Sequence, residues 1–202
     1  MDAGAYQDVT DPSVYVRFHL KPNQGYADGK YKTKDAVYLL AWTTTPWTLP
    51  ANTALAVGEK VKYTALRIGG VKELLIVASN RVEEIFNDHE VEIVHDDILG
   101  SDLVGLEYEP LFADRGKNAH KVWRADYVSD EDGSGIVHLA PAYGEEDFVL
   151  AQKNKIPVLH VIDQNGFYTE GDWKGQNVWE ANKPIAKELK ERGVVWKIDY
   201  IR

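Results

Sequence analysis

The sequence predicts a mainly β domain with peripheral helices, an α+β fold built on a β-barrel or strongly curved sheet. Three observations predict it. Short alternating or β-branched runs recur at least eight times, glycine dipeptides such as Gly69-Gly70 and Asn165-Gly166 join some of them, and helical patterning occurs in only three places. There is no regular strand–helix–strand alternation and no internal repeat, which argues against a doubly wound parallel fold. With no linker-like shift in composition, residues 1–202 read as one domain.

The elements follow in order. Ser13-Val-Tyr-Val-Arg-Phe-His-Leu20 alternates and reads as a strand, and the polar residues 21–34 as a loop. Val37–Trp42 is an apolar strand that runs into a threonine- and proline-rich turn. Tyr63–Ile68 and Glu73–Ala78 flank Gly69-Gly70 as a hairpin. Asn80 with Glu83 predicts a capping box that opens a short helix to about Phe86. Val91–Val94 is a strand, followed by an acidic loop and a mostly irregular stretch, Leu103–Leu111. Lys121–Val128 and Ile136–Ala140 flank the turn 129–135. Glu145–Asn154 is a helix, with Phe148, Val149 and Ala151 on or near its apolar side. Val158–Ile162 and Phe167–Thr169 pair around Asn165-Gly166. The last helix runs from about Ala181 to Arg192, with Pro184 in its first turn and Gly193 at C′, and the strand Val194–Tyr200 closes the chain.

Bulk properties narrow the function classes. The net charge of −9 argues against a surface built to grip long nucleic acid, but leaves room for one single-stranded end. The basic cluster Lys183, Lys187, Lys190 and Arg192 is interleaved with Glu188 and Glu191, as in a solvated helix face. No run approaches the ~20 apolar residues of a membrane span, and the N-terminus lacks signal-peptide character. The absence of cysteine removes disulfides and thiolate metal sites and fits a cytoplasmic location. The chain ends on the strand-like run Lys-Ile-Asp-Tyr-Ile-Arg202, so the expectation is a piece excised from a longer polypeptide.

Two segments are dense in chemistry. In Trp42-Thr-Thr-Thr-Pro-Trp-Thr-Leu-Pro50, Pro46 and Pro50 hold the preceding residues out of the helical region, so a strand breaks into a rigid turn ending in a row of hydroxyls. Such a row can hold a small polar ligand; the same residues also read as an ordinary strand end with a hydroxyl-stabilised turn. In Gly133-Ser-Gly-Ile-Val-His-Leu-Ala-Pro-Ala-Tyr-Gly-Glu-Glu-Asp147, the glycines permit a tight turn, His138 sits near a strand end, and Asp147 falls in the first turn of a helix. There the macrodipole favours its ionised form, suited to a small cation such as an α-ammonium. A first-turn carboxylate can equally be a cap, and a strand-end histidine a satisfied polar residue.

Other chemistries find no support. His89 and His95 lack metal-site spacing, there is no GxSxG elbow, and the glycine-rich segment lacks the lysine of a phosphate-binding loop. Neither a metal nor a cofactor is expected.

With both segments in view, the chain resembles the editing domain of isoleucyl-tRNA synthetase, the connective insertion of the class I synthetases for isoleucine, valine and leucine. The resemblance rests on Trp42–Asn52, on Gly133–His138 followed by Ala140-Pro141 and Asp147, and on the opening strand Asp11–Phe18. Valyl and leucyl relatives usually carry Thr-Thr-Arg-Pro-Glu or Thr-Thr-Arg-Pro-Asp where this chain has Thr-Thr-Thr-Pro-Trp. Ser134 departs from the usual threonine between the two glycines but keeps the hydroxyl. Signatures for forming the adenylate are absent, so no isoleucine activation is expected.

The resemblance implies hydrolytic proofreading of misattached valine, with the aminoacylated 3′ end of tRNA(Ile) and the rest of the synthetase as partners, in a monomer without cofactor. It gives Asp147 the α-ammonium, and Thr43, Thr44 and Thr45 the aminoacyl group, the terminal adenosine and the attacking water. It makes His138 a wall against the longer isoleucine side chain and gives Asn52 a supporting role. Trp42 sits among the binding residues, although it and Trp47 read mainly as scaffold. Two alternatives stand beside it: an editing domain of different specificity, and a non-catalytic module that binds an aminoacylated CCA end or an amino acid.

Overall fold

A computed structural model describes residues 11–25 and 32–201, so the readings of the N-terminal ten residues and of residues 26–31 lie outside the described residues. Among these, nine strands form one sheet: β1 (Asp11–His19), β2 (Val37–Thr43), β3 (Ala54–Val57), β4 (Lys62–Ile68), β5 (Leu74–Ala78), β6 (Val91–Leu99), β7 (Lys121–Arg124), β8 (Ile136–Leu139) and β9 (Val195–Ile201). Three α-helices accompany them: α1 (Val82–Phe86), α2 (Glu145–Asn154) and α3 (Val178–Glu191). None is long and apolar enough to cross a membrane. The expected mainly β fold with peripheral helices is present as a curled, half-closed barrel.

The curl originates at β2. One edge pairs antiparallel with β1, from Val14 opposite Thr43 to His19 opposite Tyr38. The other edge is divided: Val37–Leu39 pair in parallel with Leu74–Ile76 of β5, and Trp42 pairs with Val137 of β8. The order β6-β4-β5-β2-β8-β3-β7 thus splays where β2 ends, which is where the threonine turn begins. Both faces of β1 and β2 are covered. Val14, Val16, Phe18, Leu39 and Ala41 enter the main core, while Tyr15 and Leu40 join Ile85 and Phe86 of α1 in a second cluster. That double burial explains why these strands read as near-continuous apolar runs.

The Gly69-Gly70 hairpin forms as expected, with both glycines at positive φ and β4 antiparallel to β5. Other expectations are corrected. The strand predicted at Val91–Val94 continues to Leu99 through the acidic residues, because β4 pairs with it on both sides of two register shifts and Asp96 and Asp97, which fall at one of them, face solvent from the sheet edge. The Asn80–Glu83 capping box does not form: Asn80 lies in a 3₁₀ turn and its amide donates to Asp130. The strand from Lys121 stops at Arg124, and β3 separates it from β8. Around Asn165-Gly166 only single bridges occur, such as Ile162 with Tyr168. On α2, Phe148 and Val149 are exposed and only Ala151 is buried. Helix α3 starts at Val178, capped by the Asn177 side chain, so Pro184 lies beyond its first turn. The proline is tolerated because it faces solvent while Ala181, Ile185 and Leu189 pack the opposite face into the core.

Candidate functional site

The threonine turn is held from outside as well as by Pro46, which keeps Thr45 out of the helical region. Leu49, expected to be kept out by Pro50, instead lies with it inside a 3₁₀ turn, whose tighter winding accommodates the second proline. Pro46 occupies the first position of a 3₁₀ turn, Pro46–Ala51, directly after β2. The Trp47 N–H donates to Asn182 Oδ1 of α3 at 3.1 Å, and the Tyr168 hydroxyl donates to the Trp47 carbonyl at 2.6 Å. Within the turn, Thr43 Oγ1 accepts from the Thr45 N–H at 3.1 Å, so the plain hydroxyl-stabilised turn is present too. The three hydroxyls of Thr43, Thr45 and Thr48 then form a row, with 3.3 Å between the first two and 3.4 Å between the last two.

The second segment needs its glycines. Gly133 and Gly135 sit at φ +59° and +72°, and a Cβ on them would come within 2.9 Å of the Trp42 ring and 2.4 Å of Ala78 Cβ. Buried Arg81 anchors this turn by donating from Nε to the Gly133 carbonyl at 3.0 Å. Ser134 is buried and its hydroxyl bonds to Ile136 of its own turn, away from the cleft. Strand β8 then carries His138 to the splay beside the threonine turn.

His138 is buried and bonded at both ring nitrogens. Asn52 Nδ2 lies 2.8 Å from Nδ1 and 3.0 Å from the Ala54 carbonyl. A carbonyl only accepts, so this end of the Asn52 side chain is its NH2, and Nδ1 of His138 is the acceptor. The proton therefore resides on Nε2, which donates to Thr48 Oγ1 at 2.8 Å. Burial pushes the imidazole pKa down to about 3, so the ring is neutral.

Asp147 lies in the first turn of α2, as predicted. Its Oδ2 accepts from the Ala140 N–H at 3.0 Å and its Oδ1 from the Tyr127 hydroxyl at 3.2 Å. Burial raises its pKa above the ordinary value, and the two donors pull the other way.

Trp42, Thr43, Thr44, Thr45, His138 and Asp147 line one open cleft of about 280 Å3, together with Thr48, Val137, Ala140 and Tyr143. That is the small end of ligand sites. Asn52 does not line it; it stands behind His138, because its amide is used up on the ring and on Ala54. Trp47 is scaffold, edge-on to Tyr143 at 5.7 Å, whereas Trp42 both lines the cleft and packs on Gly133. Larger clefts, about 490 Å3 beside Val37 and about 520 Å3 beside Gly58, contain none of the predicted residues. Among the described residues, no group of three or more His, Asp or Glu could hold a metal ion.

Thr48, Tyr127 and Tyr143 were missed by sequence reasoning. Thr48 carried a signal, since it belongs to the same hydroxyl-rich turn. So did Tyr143, which lies within the Gly133–Asp147 segment, whereas Tyr127 carried none.

The family model for the editing domain of leucyl-tRNA synthetase matches residues 109–187. Over 98% of its length the chain is 40% identical to an isoleucine--tRNA ligase of Bdellovibrio bacteriovorus, and over 99% it is 37% identical to that of Picrophilus torridus. It spans 18% of the length of each of these relatives. Among solved structures, the P. falciparum cytosolic leucyl-tRNA synthetase editing domain superposes with a TM-score of 0.73 at 10% identity, covering 95% of this chain and 100% of that one. GlLeuRS-CP1 superposes at 0.72 with 16% identity, covering 94% and 100%. Half-closed barrel, cleft and sequence kinship agree: the chain belongs to the editing domains of the class I aminoacyl-tRNA synthetases, on the isoleucine side of that family.

Proposed function

We propose that this chain hydrolyses valine misattached to tRNA(Ile), as the editing domain of an isoleucyl-tRNA synthetase. The observation that carries the reading is the opposition, across one small cleft, of a threonine row and a carboxylate, with a neutral histidine in the wall. Valine and isoleucine differ by one methylene, worth only about 1–3 kcal/mol in an apolar pocket, a magnitude for which this synthetase is itself the standard example. A second, smaller site that accepts valine and excludes isoleucine supplies the remaining accuracy.

In this reading Asp147 pairs with the α-ammonium, and the Thr43–Thr45 hydroxyls hold the ester carbonyl, the terminal ribose and a water. The water oxygen attacks the carbonyl carbon, the ester bond to the ribose oxygen breaks, and the water's proton ends on that oxygen. The products are valine and uncharged tRNA. His138 is not the base: with a pKa of about 3 and its only lone pair engaged by Asn52, it has nothing to accept a proton with. Positioning and hydrogen bonding supply the acceleration, and the hydroxyl of the terminal ribose can assist. The domain acts in the cytoplasm within a single longer chain, which supplies adenylate formation and most of the grip on tRNA.

The test is deacylation of valyl- and threonyl-tRNA by the intact synthetase. Faster release of valine supports the reading. Preferential release of threonine assigns a different specificity, and tight binding without release makes the domain a binding module.

A further inference from the structure

We propose that Tyr108, a residue outside the cleft, positions His138 by holding the Asn52 carboxamide in one orientation, and thereby sets how well the site separates valyl from isoleucyl esters. This rests on the editing role proposed above.

Tyr108 lies between β6 and β7 and is completely buried. Its ring is held edge-on between Phe18, at 5.2 Å, and His120, at 5.5 Å, and its N–H donates to the His120 carbonyl at 3.0 Å. The hydroxyl donates to Asn52 Oδ1 at 2.6 Å. Burial holds its pKa well above the ordinary tyrosine value, so it remains a donor throughout the range in which the protein works.

Asn52 is therefore gripped at both ends. Its Oδ1 takes the phenol proton, and its Nδ2 donates to the Ala54 carbonyl and to His138 Nδ1. Flipping the carboxamide would set Oδ1 against another carbonyl and leave the buried phenol proton with no acceptor, both costly in a dry interior. The fixed amide makes Nδ1 of His138 an acceptor, so Nε2 carries the proton and donates to Thr48 Oγ1 at 2.8 Å. The Thr48 proton then goes to the Thr45 carbonyl at 2.9 Å. One direction of donation runs from Tyr108 through Asn52, His138 and Thr48 into the threonine turn. The phenol sets that direction from the far side of the core, and with it the angle of the imidazole wall.

The experiment compares the intact synthetase with its Tyr108→Phe variant, which keeps the ring and its packing and loses the hydroxyl. Two quantities are read: the ratio of valyl- to isoleucyl-tRNA deacylation, and the ring 15N shifts of selectively labelled His138. The expected result is a ratio lowered about tenfold, the factor carried by one buried neutral hydrogen bond. It is accompanied by 15N shifts that move from the Nε2-protonated pattern towards averaging of the two tautomers. Phe18→Leu is the control: it loosens the Tyr108 ring but keeps the hydroxyl, and should leave the tautomer pattern in place. Unchanged His138 shifts and an unchanged ratio in Tyr108→Phe overturn the proposal, as do equal changes in both variants, which would reduce Tyr108 to core packing. A wild-type enzyme that releases no valine would instead overturn the editing role, while the 15N comparison would still decide whether Tyr108 orients His138.

Discussion

His138 and Asp147 face the same cleft from two ends of one short segment, yet their surroundings differ in kind. His138 is sealed in, neutral, with both ring nitrogens spent on Asn52 and Thr48. Asp147 is only partly buried, and its two bonds come from a backbone N–H and a tyrosine hydroxyl, which leave carboxylate lone pairs over for a ligand. The first is a rigid surface and the second an acceptor in reserve. The contrast teaches that the chemical versatility of a residue type says little about its role. The histidine, the usual catalyst, is the group least able to exchange a proton here, while the carboxylate keeps that freedom.

The sharpest break of this contrast is Asp147→Ala. If Asp147 alone meets the α-ammonium, valyl-tRNA deacylation should fall about a hundredfold or more, as when one partner of a desolvated charge pair is removed. The melting temperature should move little, because the side chain is partly exposed and makes only two hydrogen bonds. Steady-state deacylation with a parallel thermal melt checks both; unchanged deacylation removes Asp147 from the site.

Next in size is His138→Ala, whose profile should be the opposite. Deleting a buried, doubly bonded ring leaves a cavity and orphans both Asn52 and Thr48, so unfolding should become easier by about 2–4 kcal/mol. Hydrolysis of cognate isoleucyl-tRNA should appear. If that ester stays untouched while valyl-tRNA is still cleaved, His138 is not the size gate.

The effect that is smallest near neutral pH, and grows only on acidification, is that of pH, where the two residues separate by sign. The His138 pKa in the folded chain, about 3, lies below its ordinary 6.5, so the unfolded chain takes up this proton first. Its contribution to stability is complete above about pH 6.5 and is lost progressively towards pH 3. Asp147 is raised, so the folded chain takes up that proton first, and acidification relieves rather than adds strain at this residue. Protonated Asp147 cannot pair with an ammonium, so KM for the valyl ester should rise on acidification before the fold is lost. Melting curves and KM measured over the same pH series would show the two effects apart; a KM that rises only together with unfolding would undo the separation.

Much of this was legible in the chain. The hairpin at Gly69-Gly70 and the strands β1 and β2 follow from local alternation and turn chemistry, which act between neighbours in sequence. The threonine turn and the Gly133–Asp147 segment stood out because prolines, glycines and hydroxyls constrain their own backbones. Where local patterning spoke alone it also misled. The acidic end of β6 looked like a loop until β4 supplied a partner, and Phe148 and Val149 looked like a buried face although both are exposed.

By itself, then, the sequence determined a β-rich domain, the two segments densest in polar and turn-forming residues, and six of the residues that meet in the cleft. Only the tertiary structure decided that these segments face each other, because the parallel pairing of Trp42 with Val137 joins residues far apart in the chain and no local pattern encodes it. The fold likewise decided that Asn52 stands behind His138 rather than in the cleft, that His138 is neutral, that Tyr143 and Thr48 join the lining, and that Tyr127 holds Asp147. Protonation and hydrogen-bond direction depend on burial and on which carbonyl happens to lie opposite, and those are properties of the packed molecule rather than of any stretch of its sequence.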